Sequence, residues 1–333
     1  MAKGTTTTTQ IDPGISALYS KTLLVRALPY LVHAMFGQKK PLPSKNSKSI
    51  KFRRYTALPK ATVPLTEGIT PSSDQLSKTD LTATVKVYGQ YVTITDEIDM
   101  FVEDNTLTET ASLLGESMGL TLDTIYRDIL NVGTSAFYAG AVGGKVNVIT
   151  SVTTTDLDKV LRALRNNKAK YYNKMIKSST GVGTSPIRAT YYAIVHPNMI
   201  YDIEKLTGFV SVADYSKPET AHENEIGAYK NLRFIETTEA KYTAGATGVT
   251  SAVGSSGLEA TSTYVNVYNM LIFGMDAYGV VDLSGHASRN IVRGFGSGDD
   301  PLEQRATSGW KAVTTCKILN DNFMYRLEAG VSA

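Results

Sequence analysis

Residues 106–132 read TLTETASLLGESMGLTLDTIYRDILNV. Apolar side chains recur here at steps of three or four residues, which places them on one stripe of a 3.6-residue helix. The stripe consists of Leu107, Ala111, Leu114, Met118, Leu122, Ile125 and Ile129. Thr106 followed by Glu109 fits a capping box, and Gly133 after Asn131 fits a helix stop. The sequence therefore predicts a helix of about 25 residues, roughly 38 Å long, with this stripe as its core.

The opposite side of this predicted helix mixes charged and apolar residues. Its charged positions are Glu109, Glu116, Asp123 and Arg127. Leu113 and Leu120 lie between them, so a second face of the helix is expected to contact a partner. Gly115 and Gly119 each cost about 1 kcal/mol relative to alanine, a loss that a closely approaching backbone would offset. Taken alone, the helix favours a core position in a two-layer α/β domain.

Composition excludes several classes of protein. The chain has 333 residues, enough for about two domains, and its net charge of +3 is too small to define a partner. A single cysteine, Cys316, excludes an internal disulfide framework and fits a reducing cytoplasm. The N-terminus carries a threonine run instead of an apolar signal core, and no apolar stretch approaches about 18 residues. Neither secretion nor a membrane span is expected.

A basic segment lies near the N-terminus, because no Asp or Glu occurs between Pro13 and Thr66. The candidates for a basic arm that faces DNA or another subunit are Lys39, Lys40, Lys45, Lys48, Lys51, Arg53 and Arg54. Uncompensated cations attract phosphate or an acidic protein surface. Acidic residues resume with Glu67, Asp74 and Asp80, which are candidate pairing partners between neighbouring molecules. A solvated basic loop is the alternative, and it is the commoner explanation of a charge run.

The residues around this basic segment predict two projecting features. Ile15 to Phe36 is apolar with Pro29 interrupting it, which predicts a kinked or two-part helical arm that packs on another surface, with another subunit as one candidate. Ser49 to Leu58 and Leu81 to Thr95 have strand composition, with a proline-rich tip between them. They predict an antiparallel ribbon, which has too few apolar residues for its own core and is expected to lie on another surface.

Strand and helix patterns alternate after the long helix. Helices are predicted from Thr155, with Asp158 completing a capping box, and from Asn198 to Leu206. Strands are predicted at Lys145 to Thr150, Ala189 to Val195, within Ile226 to Glu236, at Tyr264 to Phe273, at Ala277 to Leu283, and twice within Gly309 to Glu328. Thr243 to Thr263 is rich in Gly, Ser, Ala and Thr and predicts a surface loop.

Signals for catalysis are weak. The stretch Gly140 to Lys145 lacks the glycine and hydroxyl spacing of a phosphate loop. Alternate glycines at 294–298 do not open a helix, as a dinucleotide-binding turn requires. The histidines are His33, His196, His222 and His286, and no two of them have metal-ligand spacing. His196, before a proline, is interpreted as a capping or turn residue. We assign no catalytic, cofactor-binding or metal-binding residue and predict that the chain is not an enzyme.

Six blocks of the sequence resemble one known family. The blocks are IKFRRYTALPKATVPLTEG (50–68), YVTITDEID (91–99), LTETASLLGESMGLTLDTIYRDILN (107–131), EIGAYKNLRFIETTEAK (225–241), FGMDAYGVVDL (273–283) and DPLEQRATSGWKAVTTCKILND (300–321). They resemble the major capsid proteins of tailed bacteriophages, and specifically those of N-four-like podoviruses. The resemblance covers most of residues 50–328, whereas the tail, the basic connector before residue 50 and the loop at 243–263 are not matched.

The resemblance implies an α+β fold of the Hong Kong 97 type. Such a fold has an N-terminal arm, an extended β-hairpin loop, a long spine helix, and peripheral and axial domains. The expected divisions are an arm at 1–49, an extended loop at 50–97, a peripheral domain at 98–175 with its spine helix at 106–132, an axial domain at 176–285, and returning strands at 286–333.

The function that the resemblance implies is structural. Copies of such a subunit, as pentamers and hexamers, assemble in the bacterial cytoplasm into an icosahedral head shell around double-stranded DNA. DNA contact without sequence preference is expected, no cofactor or membrane is expected, and portal, scaffolding and decoration proteins are further candidate partners. Few residues precede the predicted loop, so any scaffolding is expected to be a separate protein. The alternatives are an encapsulin-like compartment shell and, from another class, a basic-arm DNA-binding protein.

Overall fold

The computed structural model describes residues 30–41, 48–70, 72–97, 106–172, 188–215, 221–246, 257–261, 264–283, 287–296, 302 and 304–333. The helices in this part of the chain are Val32–Met35, the long helix Thr106–Leu130, the second helix Thr154–Asn166, and Ile200–Glu204. The strands are β1 (Gln38–Lys40), β2 (Ser49–Tyr55), β3 (Lys78–Thr84), β4 (Lys86–Thr95), β5 (Ala136–Tyr138), β6 (Tyr191–Val195), β7 (Phe209–Ser211), β8 (Glu225–Tyr229), β9 (Leu232–Glu236), β10 (Tyr242–Thr243), β11 (Ala260–Thr261), β12 (Tyr264–Val265), β13 (Val267–Phe273), β14 (Tyr278–Val281), β15 (Ser288–Arg293), β16 (Arg305–Thr314), β17 (Cys316–Ile318) and β18 (Met324–Ala329).

An eight-stranded mixed sheet forms the centre, in the order β5-β18-β13-β6-β9-β8-β7, with β10 pairing to β13. Every residue of β6 and β13 is buried. Continuous burial of this kind requires cover on both faces of a sheet. One face packs in a cluster with the long helix, and the other packs in a cluster with Leu157, Val160, Leu161 and Leu164 of the second helix. The apolar runs at these strands therefore form a two-sided core.

Smaller sheets flank this centre. One has the order β1-β14-β17, a second has the order β15-β16-β4, and β2 pairs with β3 alone. The β4–β16 ladder is antiparallel and runs from Lys86 opposite Thr314 to Thr95 opposite Arg305. The long helix contacts β4, β16 and β17 and also the short helix Val32–Met35. It therefore lies between the flanking sheets and the arm.

The predicted stripe of the long helix faces the core cluster. Ala111, Leu114, Met118 and Leu122 are buried, and Ile125 and Ile129 are partly buried against the same cluster. The side chain of Leu107 lies outside the described residues. Tyr126 and Leu130, which the sequence analysis did not include, are fully buried as well. The buried surface of the helix is therefore wider than one stripe, because sheet and arm contact it from different sides.

On the opposite side of the long helix, one residue differs from the predicted charged face. Asp123, assigned to the charged face, is 0% exposed. The reason is that Val32–Met35 packs against this part of the helix and brings His33 to the carboxylate. Leu113 is 63% exposed and Leu120 is half-buried, so the second apolar face predicted for the helix is open at Leu113.

The predicted ribbon also differs in its boundaries. The strand expected at Leu81 to Thr95 is broken at Val85, whose N–H donates to the Lys48 carbonyl. Residues before the break pair with β2, and residues 86–95 pair with β16. In the sequence, apolar and polar residues alternate from Leu81 through Val85 to Val87. This periodicity does not show that the strand changes its pairing partner at Val85. We call residues 49–84 the ribbon and residues 56–77 its tip.

Two further local predictions are wrong. Lys145 to Thr150 is not a strand, because Lys145–Asn147 forms a short 3-10 turn and the strand of this region is β5, parallel to β18. The second helix is capped by Thr153, whose side chain accepts from the N–H of Asp156 at 3.3 Å. The predicted cap residue Asp158 instead pairs with Lys230. The sequence contains two overlapping Thr-x-x-Asp patterns, Thr153 to Asp156 and Thr155 to Asp158. Their composition is the same, so the sequence does not show which of them caps the helix.

The described part of the N-terminal arm belongs to the core of its own chain. Leu31, Val32 and Phe36 are buried in the long-helix cluster. The arm therefore packs on another surface, as predicted, but for residues 31–36 that surface belongs to their own chain and not to another subunit. The rest of the helix predicted from Ile15 lies outside the described residues.

Cys316 on β17 is 4% exposed, and burial raises the pKa of its thiol to about 12. Because the thiolate is the reactive species, we expect a maleimide to modify the native chain at least about 100-fold more slowly than the denatured chain. The measurement compares the two labelling rates at mildly alkaline pH. Equal rates would show that Cys316 is accessible.

Candidate functional site

The ribbon is anchored at its base. Its strands pair from Ser49 opposite Thr84 to Tyr55 opposite Lys78. The buried residues Ile50, Phe52 and Ala83 pack against Val281 and Ala287. Phe52 lies against Gly279 of β14, where an added Cβ would be 2.4 Å from the ring. The absence of a side chain at Gly279 thus allows the ribbon base to sit on the flanking sheet.

Beyond this base, every described residue from Arg53 to Asp80 is exposed. The large apolar residues among them are Tyr55, Leu58, Val63, Leu65, Ile69 and Leu76, which are 53–82% exposed. Only local backbone hydrogen bonds are described within the tip, such as that from Thr56 N–H to the Ser77 carbonyl at 3.0 Å. Several exposed apolar side chains on one projecting segment indicate an interaction surface.

The predicted basic residues that the structure describes lie on β1, on β2 and just before β2. Lys39, Lys48, Lys51, Arg53 and Arg54 are exposed, and Lys45 lies outside the described residues. Lys40 is half-buried: its ammonium donates to the Lys51 carbonyl and lies 5.5 Å from the centre of the Phe52 ring. The Arg54 guanidinium is 3.4 Å from the Leu319 carbonyl. Lys40 and Arg54 therefore already contact their own chain.

The acidic partners divide into two kinds. Asp80 lies opposite Arg53 in the ribbon ladder, with Oδ1 at 3.1 Å from Arg53 Nε, and this hydrogen bond lowers the pKa of Asp80. Asp80 therefore has a partner, Arg53, within its own chain. Glu67 and Asp74 lie on the tip and are exposed, with no ion-pair partner in the part of the chain that the structure describes.

The outward face of the β15-β16-β4 sheet carries an open depression of about 430 Å³. We call this depression the groove. Directly paired residues share a face, so Val87, Tyr91 and Ile291 stand on this side, with Gly89 and Gly309 between them. The three apolar residues are 42–72% exposed. Glycine is needed at 309, where a Cβ would lie 2.7 Å from that of Tyr91. The groove is therefore an apolar depression without side chains in its floor.

Cations border the groove. Arg289, Arg293 and Lys311 share its face of the sheet, and all three are exposed. None of them has an acidic partner among the residues that the structure describes. The sequence analysis missed this surface, because its residues come from three strands far apart in the chain.

A buried His33–Asp123 pair joins the arm to the long helix. The His33 backbone N–H donates to Asp123 Oδ1 at 2.8 Å, and His33 Nδ1 is 2.7 Å from Oδ2. The hydroxyl of Tyr278 donates to the His33 carbonyl at 2.7 Å. Both members of the pair are 0% exposed. The arrangement is enclosed and therefore holds the fold together instead of offering a reactive site.

The remaining described histidines have structural surroundings. The interpretation of His196 as a capping or turn residue is confirmed, because its Nδ1 accepts a hydrogen bond from the Asn198 N–H at 3.2 Å. His222 lies 5.2 Å from the Phe36 ring, and burial lowers the pKa of its imidazole. His286 lies outside the described residues. Within the described ranges, no group of three or more His, Cys, Asp or Glu side chains could hold a metal ion.

The end of the Gly-rich loop is anchored by Glu259. Its carboxylate accepts from the Tyr268 hydroxyl at 2.8 Å and from the amides of Asn266 and Asn198 at 3.0 and 3.1 Å. Burial opposes ionisation, but these hydrogen bonds lower the pKa of Glu259. Because both carboxylate oxygens accept hydrogen bonds from neighbouring side chains, this acidic group anchors the loop.

Among the helices that the structure describes, none has the length and hydropathy to cross a membrane.

Solved structures with a similar fold are phage capsids and related shells. The capsid of Ralstonia phage GP4 has a TM-score of 0.63 at 10% identity, covering 90% of this chain and 88% of that chain. The capsid asymmetric unit of cyanophage Pam1 has a TM-score of 0.60 at 13% identity, covering 100% of both chains. The holo-SrpI encapsulin complex of Synechococcus elongatus has a TM-score of 0.51 at 10% identity, covering 100% of this chain and 93% of that chain.

Sequence comparison identifies the family. No curated protein sequence matches the chain. The family model described as phage capsid protein, however, matches residues 78–318, well over half of the chain. The fold agrees with this match, because the two phage capsid structures align with this chain over most of their own length. The chain therefore belongs to the phage capsid protein family.

Proposed function

We propose that this capsid shell protein assembles by laying its ribbon across a neighbouring subunit. The observation that carries the proposal is the tip, where Leu58, Val63, Leu65, Ile69 and Leu76 are exposed and no described residue is buried. Burying one such side chain contributes about 1.5–3 kcal/mol. A monomer would leave this surface in water, whereas a shell covers it in every subunit.

The proposal extends to the type of shell. The anchored ribbon, the long helix and the two-sided central sheet support a Hong Kong 97-type organisation with extended loop, spine helix, and peripheral and axial domains. The six sequence blocks support an N-four-like podovirus lineage. Pentamers and hexamers in a closed icosahedral shell would repeat one kind of contact many times. Stability then comes from area summed over many interfaces.

The interior of the shell is proposed to hold double-stranded DNA. Lys39, Lys48 and Lys51 are exposed cations that support non-specific phosphate contact. Assembly in the host cytoplasm is consistent with a free, buried Cys316. Portal, scaffolding and decoration proteins are proposed as further partners.

An encapsulin-like compartment is the alternative within the same architecture. The similarity to the Synechococcus elongatus encapsulin supports it. The family match over residues 78–318 favours the phage shell. A basic-arm DNA-binding protein is less well supported, because Lys40 and Arg54 contact their own chain.

Negative-stain electron microscopy and sedimentation of the purified chain test the proposal. We expect rings or closed shells, whose yield rises with protein concentration. A compact monomer at every concentration and salt would contradict the shell function. A monomer that binds DNA with affinity falling steeply as salt rises would instead support the DNA-binding alternative.

A further inference from the structure

We infer that a pocket beside the arm binds a small organic cation of the alkylammonium class. The pocket is lined by residues 35–38, 172, 192, 222, 275 and 276, and we call it the arm pocket. Its volume of about 380 Å³ lies within the range of about 300–1,000 Å³ that is typical of small-molecule sites. The inference goes beyond the proposed shell function, because such a ligand site does not depend on how the subunits assemble.

Aromatic rings form one wall of the arm pocket. Phe36 stacks on Tyr192 with the two ring centroids 4.4 Å apart. Tyr172 meets the Tyr192 ring edge-on at 5.4 Å, and the imidazole of His222 lies 5.2 Å from the Phe36 ring. The Tyr172 hydroxyl donates to the Phe36 carbonyl at 2.8 Å, which holds the Tyr172 ring in place. The electron-rich face of an aromatic ring attracts a cation, and the attraction is stronger where water is excluded.

A carboxylate without a described partner completes the arm pocket. Asp276 is half-buried and has neither a hydrogen bond nor an ion pair with the residues that the structure describes. Burial and the nearby charge of Asp276 raise the pKa of the Tyr172 hydroxyl, so that this group stays neutral. A partly buried carboxylate is stabilised by an opposite charge beside it. The charge that this pocket selects is therefore positive.

The surroundings supply little competing positive charge. None of the described residues that line the arm pocket is Lys or Arg. Burial lowers the pKa of His222, so its imidazole is uncharged near neutral pH and offers one acceptor nitrogen to an ammonium N–H. Arg233, whose charge acts on His222, has its Nε 3.5 Å from Oε1 of the buried Glu225. The charge of Arg233 is therefore compensated within the chain.

The rim of the arm pocket fits the alkyl part of such a ligand. Met35 and Met275 line the pocket and are 39% and 44% exposed. Methionine side chains are unbranched and adapt to the shape of a bound group. An alkyl chain attached to the ammonium would cover them and remove apolar area from water. An inorganic cation would leave this area exposed, so the arm pocket favours an organic one.

Titration calorimetry of the purified full chain with butylammonium chloride tests the assignment. We expect saturable binding to one site per chain. The affinity should be at least about tenfold higher than that for butanol, which has the same chain length and no charge. No saturable binding at millimolar butylammonium, or equal affinity for butanol, would overturn the inference.

Two variants with matched controls locate the binding. Asp276→Asn removes the charge and should weaken butylammonium binding at least about tenfold, whereas Asp158→Asn, at an exposed carboxylate on the second helix, should not. Asp276 has a φ of +64°, a left-handed conformation that asparagine also adopts, so this variant is expected to fold. Tyr172→Ala should weaken binding too. Tyr171→Ala should not, because Tyr171 stacks on Tyr191 outside the pocket.

Three results would contradict the inference even if butylammonium binds. Unchanged affinity in Asp276→Asn would show that this carboxylate does not recognise the ligand. An equal loss in Asp158→Asn would show a general charge effect instead of a site. Tighter binding of a lysine-containing peptide than of butylammonium would overturn the assignment to a small ligand and indicate a protein partner.

Discussion

Replacing Asp123 with alanine is expected to destabilise the subunit by about 3 kcal/mol and lower its melting temperature by roughly 4 °C. The carboxylate accepts from the backbone N–H of His33 and lies 2.7 Å from its Nδ1, and both residues are 0% exposed. Alanine would leave two polar groups of His33 buried without their acceptor. Calorimetry measures the melting temperature, and faster hydrogen exchange at the His33 amide would locate the lost contact in the arm.

The matched control is Asp158→Ala. Asp158 also pairs with a basic residue, Lys230, at 2.6 Å, but its side chain is 46% exposed. An exposed pair contributes about 0–1 kcal/mol, so little change in melting is expected. If the Asp123 and Asp158 variants melted alike, the buried pair would not stabilise the arm as argued.

Deleting the tip is expected to abolish assembly while leaving the subunit folded. Joining Tyr55 to Lys78 through an Asn-Gly turn preserves the β2–β3 register, since these residues are directly paired. Every described tip residue is exposed, so its loss should change the melting temperature by less than about 3 °C. Losing the burial of even two apolar side chains would weaken a contact between subunits on the order of 100-fold. Sedimentation of the variant measures the loss.

Two point variants test whether assembly depends on the tip specifically or on any exposed apolar side chain. Leu65 on the tip and Val132 after the long helix are both 78% exposed. We expect Leu65→Ser to reduce particle yield and Val132→Ser to leave it unchanged. Equal effects, or normal particles from the deletion, would show that assembly does not use the tip.

Local patterns predicted the core elements well. The long helix was predicted over 106–132 and is observed at Thr106–Leu130, and β6 and β13 lie within the strands expected from composition. The long helix is buried along one face, which gives its sequence a helical period, and β6 and β13 are buried throughout, which makes each a continuous apolar run. Either signal can be read within a single segment of the sequence. The exposed ribbon tip was also predictable, because proline and small polar residues do not form a core.

Contacts between distant segments were not predictable in the same way. Asp123 was assigned to the charged face because a helical pattern does not show what packs against it. Its partner His33 lies 90 residues earlier in the chain. The break at Val85 was missed because alternation continues on both sides while the pairing partner changes from β2 to β16. The contact of Asp80 with Arg53 within one chain was not predicted, because it depends on the register of the ribbon.

The sequence by itself determined where most helices and strands of the core form, that a basic segment leads into a ribbon with too few apolar residues for its own core, and which family the six blocks resemble. Those properties are local, since each depends on residues a few positions apart. Only the tertiary structure decided that the arm is tied to the long helix through His33 and Asp123, and that β4, β15 and β16 unite apolar, glycine and cationic residues in the groove. Both depend on the register between strands and helices that are far apart in the chain, and no periodicity within one segment specifies that register.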